Sequence, residues 1–270
     1  MASKYSQISV HSILILGTLL ILAPIWIIFA SSTHDSYTIA TKGMQFGIGD
    51  EFLSNYQNVL FERSGFSKEI TFVGLLFNSL VMAFGIATLT VVTSLLAAYT
   101  IVYFKIRLAT TYFWLIFTTL LVPLEVRIFP SYAIVSELNL TNTYTGLILP
   151  LLASSIATFF FRQFYKTIPD ELLEAAKIDG ANSWKFFIDF LIPLSKTMII
   201  AIFIFMFVYG YNQYLWPILV TSSEEYWTVI MGMKIIRGSF SYIILSIIPP
   251  VLVVIFLQRW FVKGLLYSGK

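Results

Sequence analysis

Residues 169–193 read PDELLEAAKIDGANSWKFFIDFLIP and form the one long charged segment between two strongly apolar runs of the chain. Pro169 suits the start of a helix, where its missing N–H leaves no hydrogen bond unmade. Glu174 and the two alanines after it are good helix formers. Gly180 should end this helix, because glycine readily adopts the left-handed conformation found just after a helix. The first half of the segment is therefore predicted to be a short helix that stops at a glycine turn.

The second half of the segment carries the signals of another helix. Asn182 or Ser183 can accept hydrogen bonds from the first free backbone N–H groups and so cap it. The residues after this cap run from Trp184 towards Pro193 without another turn signal. The whole segment is predicted to fold as a helix, a glycine turn and a second helix. Its charges place it in water or against another protein.

The composition of the chain points to a membrane. Its 270 residues are 58% hydrophobic and 11% charged, whereas soluble domains carry about 25% charged residues. We therefore expect the chain to lie in a lipid bilayer. It has no cysteine, which excludes disulfides and cysteine-based metal sites. The basic residues are spread along the chain, so its formal net charge of +3 gives no reason to expect a nucleic-acid partner.

Apolar runs of membrane-spanning length recur along the chain. A transmembrane helix needs about 20 mostly apolar residues. We predict an all-α, polytopic membrane protein in which residues 1–270 form a single membrane domain with six transmembrane helices. The predicted spans are 9–30, 70–104, 110–133, 146–164, 197–219 and 240–262. Prolines that predict bends in these spans are Pro24, Pro123, Pro130, Pro150, Pro217, Pro249 and Pro250.

The lysines and arginines near the span ends predict the orientation, since short cytoplasmic loops carry an excess of them. The larger group on one side comprises Lys4, Lys105, Arg107, Arg162, Lys166, Lys177, Lys185, Lys196, Arg259, Lys263 and Lys270. The smaller group on the other side comprises Lys42, Arg63, Lys68, Lys234 and Arg237. Both termini and the 169–193 segment are therefore predicted to be cytoplasmic, with the loop of residues 31–69 outside.

The sequence lacks the motifs of several kinds of chemistry. It contains no Gly-x-x-x-x-Gly-Lys-Ser/Thr phosphate loop, so it offers no ATP site of its own. It also shows no Ser/His/Asp set, no His-Glu-x-x-His helix and no paired-carboxylate site. The residues therefore predict no catalytic site, metal or cofactor in this chain. They leave open both a transport subunit and a membrane scaffold without transport activity.

Two charged residues, Glu125 and Arg127, lie inside the predicted third span. A charge at the centre of a bilayer costs roughly 2.5–3.5 kcal/mol on insertion scales, so such groups usually face a cavity or a partner. The two residues are two positions apart and point to different sides of a helix. Three interpretations of Arg127 stay open: a cation in the substrate pathway, an anchor near the outer headgroups, or a group paired with a partner subunit.

The predicted fifth span carries an unusual number of polar and aromatic residues. Its stretch 209–217 reads YGYNQYLWP. Tyr209 and Trp216 offer flat surfaces and hydrogen bonds suited to a polyol, and Asn212 and Gln213 add amides. An aromatic belt at the outer membrane surface is the simpler alternative, but it does not account for the amides. We therefore expect a substrate pathway or a subunit contact here.

The spacing within 169–193 resembles the EAA loop of the membrane subunits of ATP-binding-cassette importers. Their pattern is Glu-Ala-Ala, three residues, Gly, nine residues, then Ile-x-Leu-Pro. This chain departs from it only in carrying Phe190 and Ile192 for the usual Ile and Leu. The resemblance implies that the segment is the coupling helix that docks into a cleft of the ATP-hydrolysing subunit. The residues assigned to coupling on this ground are Glu174, Ala175, Ala176, Asp179, Gly180 and Pro193.

Further segments are similar to the carbohydrate branch of this family, at 78–84, 122–130, 157–164, 193–197, 209–217 and 258–265. The resemblance implies the type I importer fold in a bacterial inner membrane. It also implies a heterodimer with a second permease, two copies of an ATPase that binds ATP and Mg²⁺, and an extracytoplasmic solute-binding protein.

The substrate expected from this resemblance is sn-glycerol-3-phosphate or a related glyceryl ester or sugar, because the cation of Arg127 suits a phosphate ester. A permease for a neutral sugar or polyol is the alternative within the family. An ion-driven carrier is disfavoured by the scarcity of acidic residues in the spans.

Overall fold

The computed structural model describes residues 4–61, 70–104, 106–119, 122–233 and 239–267, and these contain helices and no strand. The first helices are α1 (Lys4–Ser31), α2 (Ser36–Lys42), α3 (Phe52–Phe61), α4 (Phe72–Tyr103) and α5 (Ala109–Thr118). They are followed by α6 (Leu124–Glu137), α7 (Tyr144–Ile148), α8 (Ser155–Tyr165), α9 (Asp170–Ile178) and α10 (Ser183–Phe186). The last are α11 (Ile192–Leu194), α12 (Lys196–Tyr211), α13 (Leu215–Val220), α14 (Val229–Gly232) and α15 (Phe240–Tyr267).

Three of the described helices are long and apolar enough to cross a bilayer unaided. They cover Ser9–Ser31, Phe72–Tyr103 and Phe240–Arg259, close to the predicted first, second and sixth spans. Two bent pairs would raise the number to five if each pair is one span. These are Tyr144–Leu151 with Ser155–Tyr165, bent by 50°, and Ser183–Leu194 with Lys196–Tyr211, bent by 74°. The predicted count of six spans stays a prediction.

The helices in the predicted spans 110–133, 146–164 and 197–219 are interrupted. Where the third was expected, α5 ends at Thr118 and α6 begins at Leu124 after Pro123. The fourth is unwound at residues 152–154, and α12 ends at Tyr211 before α13 begins at Leu215. Proline cannot donate to the helical ladder, and polar residues next to it offer alternative hydrogen bonds. In each of these stretches the structure has shorter helices separated by a break, where the sequence predicted bends.

The chain divides into two compact units, Met1–Leu75 with Gly232–Pro249 and Leu76–Met231 with Pro250–Lys270. In the first unit, the end of α1 is held by polar contacts with the loop after it. Asn55 Nδ2 donates to the carbonyls of Ser32 and His34, at 3.0 and 2.8 Å. The rings of Phe72 and Tyr242 also meet there edge to face, with centroids 5.0 Å apart.

The second unit contains both candidate sites, and α4 and α12 contribute many residues to its buried core. Gly210 of α12 is packed so closely on α4 that an added Cβ would lie 3.2 Å from the Cα of Ala83. A small residue at this point lets two membrane helices approach closely. Phe207, one turn earlier, is fully buried and meets the Phe84 ring at 4.9 Å. The close packing makes α4 and α12 the frame on which the candidate sites are built.

Candidate functional site

The first half of the 169–193 segment forms α9, as predicted. Pro169 is the residue just before the helix, with extended backbone angles (φ −61°, ψ 140°). Asp170 and Glu171 occupy the first turn and Lys177 the last turn. Acidic groups at the start and a basic group at the end both complement the helix dipole. The local sequence therefore favours a helix of this length in this place.

Gly180 ends α9 in the predicted left-handed conformation, with φ of 77°. The Gly180 N–H donates to the Lys177 carbonyl at 3.0 Å, and the Ala181 N–H donates to the Ala176 carbonyl at 2.9 Å. This pair of bonds is the Schellman arrangement, which satisfies the last carbonyls of a helix. A Cβ built on Gly180 would meet nothing within 4 Å. Glycine is therefore favoured here by the backbone angle and not by crowding.

The second half of the segment begins with the predicted cap. Asn182 Oδ1 accepts a hydrogen bond of 2.8 Å from the Lys185 N–H. The helix then differs from the regular one that the sequence predicts, because Phe187–Leu191 forms a π-helical turn between α10 and α11. Pro193 lacks an N–H and its ring clashes with the carbonyl four residues earlier. Widening the turn relieves this clash, and the chain bends by 74° into α12.

The segment is fixed to α4 by aromatic residues at the end of that helix. The Tyr99 hydroxyl donates to the Ser183 carbonyl at 2.6 Å, and its ring lies 4.9 Å from that of Phe187. The Tyr103 ring meets Phe186 edge to face at 5.4 Å. Phe186 and Phe187 are buried. These contacts join the 169–193 segment to one end of the long helix α4.

The opposite face of the segment is exposed and holds most of the residues predicted to take part in coupling. Glu174, Ala175, Asp179, Gly180 and Pro193 are all exposed, whereas Ala176 is buried and packs inward.

Two large apolar residues extend this exposed face. Ile178 is 86% exposed and Trp184 is 59% exposed. Sequence reasoning did not single out either residue, although two apolar residues flanking a polar glycine turn were a usable signal. Large exposed apolar residues mark surfaces that contact another protein.

A second candidate site is a cavity of about 60 Å³ in the same unit. It brings together Arg127, Tyr209 and Trp216, three of the residues that the sequence makes candidates for a substrate pathway. The full lining is Arg127, Ile128, Ser131, Pro150, Leu151, Ala153, Tyr209 and Trp216. Ser131 was missed, yet it lies one helical turn after Arg127 and therefore shares its face. The cavity thus combines a cation, hydroxyl groups and aromatic surface.

Two further predicted pathway residues, Asn212 and Gln213, do not line this cavity. Asn212 is exposed, and Gln213 is buried with its Nε2 donating to the Tyr209 carbonyl at 3.2 Å. This bond closes the end of α12, so it gives Gln213 a structural role. The side chain of Glu125 lies outside the described part of the structure. Trp216 is 1% exposed, which rules out a lipid-facing aromatic belt for this residue.

The cavity wall is built where helices are interrupted. Trp216 Nε1 donates to the Gly146 carbonyl at 3.2 Å and so ties α13 to α7. The unwound backbone after Leu151 forms another part of the wall. Its Leu152 carbonyl accepts a hydrogen bond of 3.1 Å from Thr90 Oγ1 of α4. Non-helical backbone inside a membrane is tolerated only where protein or water satisfies it, and here a buried threonine does so.

Comparison with known proteins places the chain in a family. Residues 90–267 match the family described as binding-protein-dependent transport system inner membrane component. The chain belongs to this family. It is 45% identical over 270 residues to the sn-glycerol-3-phosphate transport system permease protein UgpE of Yersinia enterocolitica, with 96% of each chain covered. It is 42% identical over 275 residues to the protein of the same name from Agrobacterium fabrum, with 98% of each covered.

A solved structure confirms the fold of this family for the chain. A bacterial ABC transporter involved in the import of the acidic polysaccharide alginate superposes with a TM-score of 0.75. The match covers 97% of this chain and 99% of that one at 22% sequence identity. The all-α permease fold predicted from the sequence is therefore confirmed.

Membership of the binding-protein-dependent transport family has three direct consequences. The chain is an integral inner-membrane protein and the permease subunit of an ABC importer. It is a transport subunit and not an enzyme. It works in a transport complex with other subunits. The predicted resemblance to this family is confirmed by the same matches.

Proposed function

We propose that this permease imports sn-glycerol-3-phosphate, or a closely related glyceryl phosphate ester, into the bacterial cytoplasm. The observation that carries the proposal is 42–45% identity, over nearly the whole chain, to permeases named for sn-glycerol-3-phosphate transport. The lining of the Arg127 cavity supports the same substrate on independent chemical grounds.

The cavity offers groups that complement both halves of a glycerol phosphate. The guanidinium of Arg127 can donate two parallel hydrogen bonds to a phosphate. Tyr209 and Ser131 carry hydroxyls that suit the glycerol end, and Trp216 supplies a flat apolar surface. At about 60 Å³ the cavity is far smaller than the roughly 300–1,000 Å³ of a pocket that encloses a ligand. It is therefore one wall of the pathway, which a second permease completes.

The exposed face of the 169–193 segment supports coupling to an ATPase. Glu174, Ile178 and Trp184 present an acidic and apolar surface to another protein. This chain carries no phosphate loop, so ATP and Mg²⁺ bind to the partner. ATP-driven closure of two ATPase copies moves the segment and, through Tyr99, the end of α4. The complex then also contains a second permease and an extracytoplasmic solute-binding protein, and both termini of this chain are cytoplasmic.

Transport by the reconstituted complex tests the proposed function. Proteoliposomes containing the four membrane-bound subunits, with binding protein outside and ATP inside, should accumulate labelled sn-glycerol-3-phosphate. Unlabelled sn-glycerol-3-phosphate should compete, and glycerol or a neutral disaccharide at the same concentration should not. Stronger competition by the neutral compounds would contradict the substrate. Uptake that survives ATP depletion and stops when ion gradients collapse would contradict the ATP-driven mechanism.

A further inference from the structure

Arg162 of α8 is a buried cation that has no anionic partner among the residues the structure describes. The residue is only 7% exposed, and its Nε is buried without a hydrogen-bond acceptor in the described part of the chain. Its guanidinium carbon lies 3.9 Å above the ring centroid of Phe113 of α5, a cation–π contact that offsets part of the lost hydration. Arginine stays charged in proteins and carries five N–H donors. Burying such a group is costly unless an acceptor accompanies it, so an anion from outside the chain is expected here.

The neighbouring helices α5 and α8 run antiparallel. At one end the hydroxyls of Thr119 and Ser155 lie 2.7 Å apart. Nearer the other end, Arg162 covers the ring of Phe113. Going forward along α8 from Ser155 to Arg162 therefore means going backward along α5 from Thr119 to Phe113. It follows that the chain just before α5 and the chain just after α8 lie at the same end of the pair.

That shared end is basic and has no acidic residue of its own. Arg107 precedes α5 and Lys166 follows α8, and both are exposed. Lys166 lies one helical turn beyond Arg162, and its N–H donates to the Arg162 carbonyl at 3.1 Å. Residues 106–119 and 155–169 contain no Asp or Glu. The next acidic residues belong to the first turn of α9, are exposed, and form no ion pair with Arg162 among the residues described.

The surface next to this basic end is apolar and aromatic. Tyr112, Trp114 and Leu115 of α5 and Phe160 of α8 are all exposed. Tyrosine and tryptophan are enriched where membrane helices meet the headgroup region. A ligand with an anionic head and long apolar chains would match both the cations and this surface.

We propose that this end of α5 and α8 binds the headgroup of an anionic phospholipid. The lipid phosphate accepts hydrogen bonds from Arg162, and Arg107 and Lys166 add attraction from the rim. Arginine–phosphate pairs are strong and often bidentate, and basic pockets between membrane helices bind anionic headgroups. A free phosphate would satisfy the same donors, but it would leave the exposed aromatic surface uncovered. The site is separate from the Arg127 cavity and does not depend on the transported substrate.

Lipid retention by the complete transporter tests this site. The purified complex is exchanged into detergent with phosphatidylglycerol or phosphatidylcholine of identical acyl chains, and bound lipids are counted by native mass spectrometry. The wild type should retain phosphatidylglycerol in preference to phosphatidylcholine. Arg162→Gln should lower the phosphatidylglycerol affinity about tenfold, as expected for a lost charge-assisted contact. It should leave phosphatidylcholine unchanged, and Arg162→Lys should keep part of the preference because the charge remains.

Two comparisons keep the lipid proposal open to refutation. Lys196→Gln, at an exposed position at the start of α12, should behave as the wild type. Should Arg162→Gln fail to assemble, the double change Arg107→Gln with Lys166→Gln alters only exposed residues and should still lower phosphatidylglycerol retention several-fold. Equal retention in the wild type and in these variants would overturn the site. Displacement of the bound lipid by millimolar inorganic phosphate would overturn its assignment to a lipid.

Discussion

Substitutions of Gly180 test the backbone angle of the turn alone, because no neighbouring atom would clash with an added Cβ. Its φ of 77° lies in the left-handed region, and an added Cβ would meet nothing within 4 Å. The cost of Gly180→Ala is therefore only the backbone preference, about 1–2 kcal/mol for a residue with a Cβ. Gly180→Asn should cost less, because asparagine tolerates this conformation. Gly180→Pro cannot reach a positive φ at all, and it removes the N–H that donates to the Lys177 carbonyl at 3.0 Å.

These costs predict an order of coupling efficiency in the reconstituted importer. With alanine or asparagine the turn still forms, so uptake per ATP hydrolysed should stay near the wild-type value. With proline the turn cannot form, and α10 loses its position relative to α9. Uptake per ATP should then fall at least tenfold, although the chain still inserts because the spans are unchanged. The assay measures initial rates of substrate uptake and of ATP hydrolysis in the same proteoliposomes.

The chain supplies a matched control for the proline substitution. Gly43 also has φ of 77°, has no neighbour within 4 Å of an added Cβ, and donates its N–H at 3.0 Å to a helix carbonyl, that of Ile39. Gly43→Pro therefore carries the same local cost in the predicted outer loop. It should lower thermal stability comparably and leave uptake per ATP unchanged. A wild-type coupling ratio for Gly180→Pro, or an equal loss for both proline variants, would refute the reasoning.

Further predictions address the coupling face, the pathway and the orientation. Glu174→Lys reverses an exposed charge and should reduce substrate-stimulated ATP hydrolysis without changing membrane yield; normal stimulation would contradict its role in docking. Arg127→Gln should lower uptake of sn-glycerol-3-phosphate tenfold or more, from a contact worth about 1.5–3 kcal/mol, and lower uptake of a neutral polyol less; equal losses would remove Arg127 from substrate recognition. Cysteines replacing Ser36 and Ser222 should react with an impermeant thiol reagent from outside, and one replacing Ser183 only in opened membranes; labelling of the latter from outside would reverse the orientation.

The parts of the 169–193 segment that the sequence predicted correctly depend on local chemistry. Gly180 and Asn182 act within five residues of the groups they bond, so their spacing alone indicates a turn and a cap. The π-helical turn at Phe187–Leu191 was not predicted. It is set by Pro193 together with the anchoring of this helix to α4 through Tyr99. Residues 84 positions apart in the sequence make that contact, and no local pattern reveals it.

In the predicted spans, too, composition indicates where the apolar stretches lie, whereas tertiary contacts decide where the helices break. Hydropathy finds apolar stretches, and it located α1, α4 and α15 because these helices are continuous. It does not distinguish prolines that a helix accommodates from prolines at which it stops. Pro24 lies inside α1 and Pro130 inside α6, whereas Pro123 precedes α6 and Pro150 lies in a tight turn before the break at residues 152–154. What decides between these outcomes is whether another helix can satisfy the freed backbone groups.

Thr90 shows how such a break is sustained and why it matters for the candidate pathway. Its hydroxyl donates a hydrogen bond of 3.1 Å to the carbonyl of Leu152, which lies 62 positions later in the sequence. The freed backbone next to this bond forms part of the wall of the Arg127 cavity. A continuous helix would hold its carbonyls within its own ladder and present only side chains to the pathway. The helix breaks are therefore the places in the proposed pathway where backbone and side-chain groups are both available to a polar substrate. Hydropathy does not predict these breaks, because the hydrogen bonds that sustain them come from residues far away in the sequence.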